Sequence, residues 1–266
     1  MKLSSLFRRA TSPTRLGLSE VSGESFPPPL PDETICLLGD LHGRLDCLEQ
    51  FLLLRQRHFP SATLIVLGDM IDRGPDSAGV LARLQDATTG GAICLKGNHE
   101  EMLLAAIANP EDNLSTWLRH GGRQAAASFG IDEYVLEQLP AVEAAALLRE
   151  QIGAATLDWL SGLPLNYRSG NVVAVHAGLD PAHPLACQAA KTMLWGHPSF
   201  AHQPRRDGLW VVYGHTIVER ASKKPGKIAL DTGAYATGKL SYALIDPALP
   251  EHERVMIGLI NSLVKS

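Results

Sequence analysis

The chain has no apolar stretch approaching the ~18 residues needed to span a bilayer, which excludes an ordinary membrane helix. It has only four cysteines (Cys36, Cys47, Cys94 and Cys187), and none form a short metal-type pair. That excludes a thiolate zinc cluster and a disulfide scaffold, and fits a reducing, cytoplasmic setting. Charge of one sign is also scarce. With 24 Lys and Arg against 28 Asp and Glu, the net charge is −4, which argues against broad nucleic-acid or membrane adhesion. Repeats and heptads are missing too. What remains is ordinary globular composition over 266 residues, enough for one large core.

The first twenty residues, MKLSSLFRRATSPTRLGLSE, are basic and rich in Ser and Thr without the apolar centre of a secretory signal. Their Arg/Ser bias is also a transit-peptide trait. The plainer expectation is a flexible leader over residues 1–31, ending in PPPLP, followed by a single domain over 32–266. Within that domain, strand-like and helix-like segments alternate. TICLLG, TLIVLG and AICLKG each read as a strand followed by a helix. Three such units favour an α/β fold with strands side by side. Residues 110–162 turn rich in Ala, Leu, Glu and Gln and read as a helical insertion. LNYRSGNVVAVHAG then reads as a hairpin joined at Ser169-Gly170. Further strands are expected at 209–213, 227–230, 240–245 and 255–259.

Each strand-like run ends in Gly with a metal-capable side chain: GDLHG (39–43), GDMIDRG (68–74), GNHE (97–100), VHAG (175–178) and YGHT (213–216). In open α/β sheets ligands bind beyond the carboxyl ends of strands, so these loops are expected to converge. Asp40 and His42, two apart in extended backbone, face the same side and suit one ion. The donor set is Asp40, His42, Asp69, Asn98, His176 and His215, all oxygen and imidazole. It suits Mn²⁺ or Fe first, and Zn²⁺ as well. Six ligands exceed what one catalytic ion with an open position needs, and suit two ions sharing a carboxylate. Two divalent ions outweigh the charges of Asp40 and Asp69, so the centre attracts phosphate although the chain is acidic.

This pattern resembles the metallophosphoesterase superfamily, in its phosphoprotein phosphatase branch, which includes bacterial and phage Ser/Thr phosphatases. The match rests on GDLHG, GDMIDRG, GNHE, LRHGG (118–122), VHAGL, YGHT and LDTGA (230–234), in the family's order across residues 39–234. The fold implied is a metallophosphatase-type β-sandwich flanked by helices, with the helical insertion between the third and fourth motif strands. The resemblance implies that Asp40, His42 and Asp69 hold one metal and that Asp69, Asn98, His176 and His215 hold the other, with Asp69 bridging. It further implies that Arg73 binds phosphate oxygens and that His99, oriented by Asp72, protonates the leaving group. A metal-activated water would attack phosphorus, and a serine alkoxide would need the proton more than a tyrosine phenolate.

Other residues carry plainer expectations. Asp76 reads as a turn residue, Glu100 as a helix first-turn acid, and Asp231 as a neighbour of the ligands. His58, His183, His202 and His252 read as surface residues. Gly121 and Gly122 would let the insertion approach the site. Arg119 and Arg123 read either as surface charges or as secondary phosphate contacts. One departure from the family stands in MLWGHPSF (193–200), where a second phosphate-binding arginine is often placed and His197 stands instead. His197, or Arg205 or Arg206 from the next loop, would then take its place. The expected substrate is a phosphorylated protein or a small phosphoester, with no nucleic-acid or membrane partner. The rivals are a dinucleoside polyphosphate hydrolase and a non-catalytic phosphate-binding regulator.

Overall fold

In the computed structural model, which describes residues 26–262, strand β1 (Ile35–Leu38) is buried at every position. Ile35 and Leu37 enter a core shared with a second sheet, while Cys36 and Leu38 join the core beneath the helices. A strand covered on both faces is apolar throughout, and this explains the unbroken runs in the sequence. The same division holds in β2 (Thr63–Val66) and, in the second sheet, in β5 (Val172–Val175). There Val172 and Ala174 face the first sheet, and Val173 and Val175 pack with Met193 of α9 (Ala190–Trp195).

The remaining strands are β3 (Ile93–Cys94), β4 (Asn166–Ser169), β6 (Trp210–Tyr213), β7 (Ser222–Lys224), β8 (Lys227–Ala229), β9 (Lys239–Ile245) and β10 (Val255–Asn261). They form two five-stranded sheets, ordered β10-β9-β1-β2-β3 and β4-β5-β6-β8-β7. Within them β1, β2 and β3 run parallel, as do β5, β6 and β8. The carboxyl ends of each parallel set therefore lie along one edge. This mixed sandwich, with helices outside, is the metallophosphatase fold expected from the motifs.

Helix α1 (Leu45–His58) follows β1 and buries Cys47, Leu48 and Phe51 on one face. Each large apolar side chain so buried contributes roughly 1.5–3 kcal/mol. Helix α2 (Ser77–Thr89) follows β2, and Asp76 caps it by accepting the Gly79 N–H at 2.7 Å. From α3 (Asn98–Ala108) the chain passes into the insertion: α4 (Pro110–Trp117), α5 (Arg123–Ser128), α6 (Glu133–Gln138), α7 (Ala141–Ile152) and α8 (Ala154–Ser161). A π-helical turn, Leu118–Gly122, joins α4 to α5.

Two expectations are corrected. Residues 1–25 of the expected leader lie outside the described residues, but 26–31 are packed rather than flexible. Phe26 stacks edge-on against Trp210, whose indole N–H donates to Pro27 O, and Leu30 N–H donates to Asn171 Oδ1. The third strand is also shorter than its apolar run. It stops pairing at Cys94 because Gly97 must turn the chain into α3. Strand β7, helix α9 and the short α10 (Ala234–Thr237) are each under seven residues and carry no periodicity in the sequence to announce them. Among the described residues no helix is long and apolar enough to cross a membrane.

Candidate metal and phosphate site

The loops leaving β1, β2, β3, β5 and β6 deliver Asp40 and His42, Asp69 to Arg73, Asn98 and His99, His176, and His215 to one place. Among the described residues, the non-glycine residues with left-handed backbone are His42 (φ 45°), Asp69 (φ 46°), Asp72 (φ 73°), Arg73 (φ 65°) and His215 (φ 61°). All belong to this place. Each such conformation costs on the order of 1–3 kcal/mol and persists only where its surroundings enforce it. The enforcement is visible at Glu100, whose fully buried carboxylate accepts N–H groups from Asp69, Met70, Ile71 and Gly97 at 2.8–3.3 Å.

Backbone carbonyls set the imidazole tautomers. His42 donates Nδ1–H to Ile71 O at 2.8 Å, and His176 donates Nδ1–H to Leu67 O at 2.9 Å. Both Nε2 lone pairs are thereby turned inward. His42 Nε2 lies 3.6 Å from Asp69 Oδ2. His176 Nε2 lies 2.8 Å from Asn98 Oδ1, 3.2 Å from His215 Nδ1 and 3.4 Å from Asp69 Oδ1. Burial holds His42 down to about 3 and His215 to about 4, and lowers His176, so all three are neutral and able to ligate near pH 7.

Asp40 is 2% exposed; one carboxylate oxygen accepts the His215 N–H at 2.9 Å, and Oδ1 has no hydrogen-bond partner. An orphaned buried carboxylate oxygen is costly unless a cation meets it. Burial, reinforced by the charges of Asp231 and Asp69, raises Asp40 well above the usual carboxylate range. Burial and Asp69 likewise raise Glu100 to about 7, and burial raises Asp231 to about 6. Converging lone pairs and crowded buried carboxylates are the environment a pair of cations relieves. His42, Asp69 and His99 form one group whose ligand atoms lie within 4.8 Å of one another, and Asp69, His176 and His215 form a second. Asp69 is common to both, His99 stands in the first group beside His42, and Asp40 belongs to neither. The residues present therefore fit a dinuclear centre. A Cβ at Gly214 would overlap the Asp40 carboxylate, so only glycine admits that approach.

Beside the donors, Asp72 Oδ2 is 2.6 Å from His99 Nδ1, and Trp117 Nε1–H donates to both Asp72 oxygens at 3.1 Å. Burial raises Asp72 to about 6, against the pull of its bond to His99. Arg73 Nη2 donates to His99 Nε2 at 3.0 Å, and its guanidinium lies over the Tyr235 ring, 4.9 Å from the centroid. The Arg73 N–H donates to Gly121 O at 3.1 Å, with Gly121 at φ 111° against the Arg73 backbone. The insertion is thus joined to the site through Trp117 and Gly121.

Of the three residues expected to supply a second anion contact, Arg205 and His197 have partners away from the donor cluster. Arg205 is 6% exposed, and its guanidinium is engaged by Asp207 and by the carbonyls of Asp180 and His183. It braces a loop. His197 faces Asp180 at 3.7 Å and accepts the Ser199 N–H, with no site residue among its recorded partners. Trp117, Tyr235 and the clamping role of Glu100 were missed in the sequence. Tyr235 adjoins LDTGA and Trp117 precedes LRHGG, and that proximity was the available signal.

A two-sheet sandwich with a His/Asp/Asn donor cluster at its strand ends is the arrangement expected of a metal-dependent phosphoester hydrolase. The model of the calcineurin-like phosphoesterase family matches residues 33–219, and the chain belongs to that family. It is 30% identical over 220 residues to serine/threonine-protein phosphatase 1 of Salmonella typhimurium, covering 79% of this chain and 91% of that protein. It is also 27% identical over 251 residues to the asymmetrical bis(5'-nucleosyl)-tetraphosphatase PrpE of Bacillus velezensis, covering 83% and 91%. The fold is shared with a protein serine/threonine phosphatase from Saccharomyces cerevisiae. That comparison has a TM-score of 0.54 at 17% identity and covers 89% of this chain and 82% of that one.

Proposed function

We propose that the protein hydrolyses phosphomonoesters, foremost phosphoserine and phosphothreonine in proteins, with phosphotyrosine as a further substrate. The observation that carries this reading is the chain of contacts from Trp117 to Asp72, from Asp72 to His99 at 2.6 Å, and from His99 Nε2 to Arg73 at 3.0 Å. It supports reading His99 as a general acid beside an anion-binding Arg73 guanidinium, next to the donor cluster. An alkoxide leaving group is the one that most needs such an acid.

Asp40, His42 and Asp69 would hold one metal, and Asp69, Asn98, His176 and His215 the other, with Mn²⁺ or Fe preferred and Zn²⁺ admissible. When bound, the pair supplies Lewis acidity and a water that ionises near neutral pH. Arg73 offers planar, paired N–H donors to the phosphate oxygens. Its movement onto phosphate releases His99 Nε2. Burial disfavours a charged His99, but the carboxylates of Asp69 and Asp72 outweigh it and hold its pKa above the ordinary value. Asp72 keeps Nδ1–H in place while Nε2 delivers the proton. The four free cysteines agree with a reducing, cytoplasmic setting.

A second reading, hydrolysis of dinucleoside polyphosphates, is favoured by the likeness to PrpE over most of both chains. Purified, Mn²⁺-loaded protein assayed side by side on phosphoserine peptides, p-nitrophenyl phosphate and diadenosine tetraphosphate separates the two. Turnover of the peptides supports the first reading, and turnover of the dinucleotide alone replaces it. No turnover of any substrate across a broad pH range would leave the non-catalytic regulator.

A further inference from the structure

Two depressions border the Arg73–Tyr235 stack. One, of about 580 Å³, is lined by Leu45, Pro75, Asp46, Glu49 and Asp76 together with Arg44 and Arg73, and there Asp46 is paired with Arg44 and Glu49 with Arg83. The other, of about 390 Å³, is lined by Arg73, Arg119, His120, Arg123, Gln124 and Tyr235 and contains no acidic side chain. Arg123 is neutralised by Glu137, to which Nε and Nη2 donate at 2.8 and 2.6 Å. Arg119 is not. It is exposed, its recorded side-chain bond goes to Thr116 Oγ1 at 3.2 Å, and among the described residues no carboxylate is recorded in an ion pair with it. His120 donates Nδ1–H to Thr116 O at 2.7 Å and keeps Nε2 for another partner.

We infer that this cavity is a second anion subsite, in which Arg119 binds a further negative group of the substrate whose scissile phosphate lies at Arg73. The inference rests on the reading that Arg73 meets phosphate. The position of Arg119 is set by structure, since its turn is tied to the Arg73 backbone through Gly121 O and to Asp72 through Trp117. Arg119 therefore keeps a constant register to Arg73. The second arginine expected after Trp195 is absent, and Arg205 is engaged elsewhere, so Arg119 is the unpaired guanidinium sharing a cavity with Arg73. The further negative group of the substrate is drawn to the Arg119 side, where the guanidinium has no carboxylate partner in the cavity lining. That group is a phosphate or carboxylate, supplied either by an acidic stretch beside the phosphoresidue or by a polyphosphate chain.

The test measures binding by fluorescence polarisation to the full, Mn²⁺-loaded chain. The probes are a peptide bearing a phosphonate analogue of phosphoserine in neutral flanks, the same peptide with glutamates beside it, and a methylene-bridged diadenosine tetraphosphate analogue. The more anionic probes bind more tightly than the neutral peptide. Arg119→Ala reduces that preference roughly two- to fivefold, as expected for one exposed ion pair, and Arg119→Glu reduces it further. The remote Arg57→Ala leaves the preference unchanged. Which anionic probe loses affinity identifies the source of the second group. An unchanged preference in both Arg119 variants, or an equal loss for neutral and anionic probes, overturns the subsite. If the same preparation turns over p-nitrophenyl phosphate, that failure is confined to the subsite. Absence of turnover overturns the proposed function and the subsite with it.

Discussion

Asp72 has three neighbours that give it meaning: the His99 ring, the Trp117 indole and the Ser77 hydroxyl, which takes its backbone N–H at 2.9 Å. Replacing it by Asn leaves the shape but removes the charge that orients and stabilises the His99 imidazolium. Asp72→Asn is expected to lower kcat on a phosphoserine peptide by about 10²-fold, the scale of general acid catalysis, and to affect p-nitrophenyl phosphate much less. Comparing the two substrates across a pH profile checks this; equal losses would argue for a merely structural role. Asp69→Asn is expected to lower both metal content, read by atomic emission, and rate. Full occupancy of both sites would exclude bridging. At this scale the sequence was legible where a motif carries polar side chains to a strand end, as at Asp40, His42 and His99. Tyr235 and Trp117 were not legible, because their importance lies in contacts with residues more than 40 positions away.

The turn between α4 and α5 shows how an element can serve a site to which it contributes no proposed metal ligand. Gly121 is left-handed, and a Cβ there would press on the Arg73 backbone. Gly121→Ala is therefore expected to destabilise the protein by roughly 1–3 kcal/mol through backbone strain and to raise KM by displacing Arg73. Urea unfolding and steady-state kinetics on one preparation measure both. Asp76 is simpler. As the cap of α2 its replacement by Ala is expected to cost about 0.5–2 kcal/mol, read as a lower Tm. Its role as a local polar residue was readable because a cap depends on its own next turn. The π-helical turn was not, because it exists to bring Gly121 and Trp117 onto a loop from a different strand.

For the whole molecule, the donor cluster concentrates buried carboxylates where two sheets meet, so metal should act as a structural ligand. Chelation is expected to lower Tm by several degrees, and restored Mn²⁺ to recover it, following the linkage of ligand to the folded state. A Tm indifferent to metal would count against the dinuclear assignment. A second global tie joins the start of α1 to the end of β10. Asp46 accepts from Arg44 and from Ser262 Oγ, and Arg44 also donates to Ala234 O. The Arg44 hydrogen bonds hold Asp46 below the usual carboxylate range. A depressed carboxylate stabilises above its unfolded pKa and loses that contribution as pH falls through the folded value. The gap in stability between the wild type and Asp46→Asn should therefore be full at pH 7 and shrink below the ordinary Asp range near pH 4. A gap independent of pH would show that the charge is not involved.

Local information was enough for the alternation of strands and helices, the order of the donor motifs and the class of chemistry. A buried strand, a glycine turn and a metal-capable side chain are each written in adjacent residues. Three things depended on tertiary structure: the closure of two sheets into one edge of converging loops, the packing of 26–31 onto Trp210, and the partners of each arginine. Arg205 stood where a phosphate contact was wanted and is held by Asp207. Arg119 stood open between a surface charge and a phosphate contact, and it shares a cavity with Arg73. An arginine's charge is a property of the residue, but whether that charge is neutralised depends on which carboxylate the fold brings within reach.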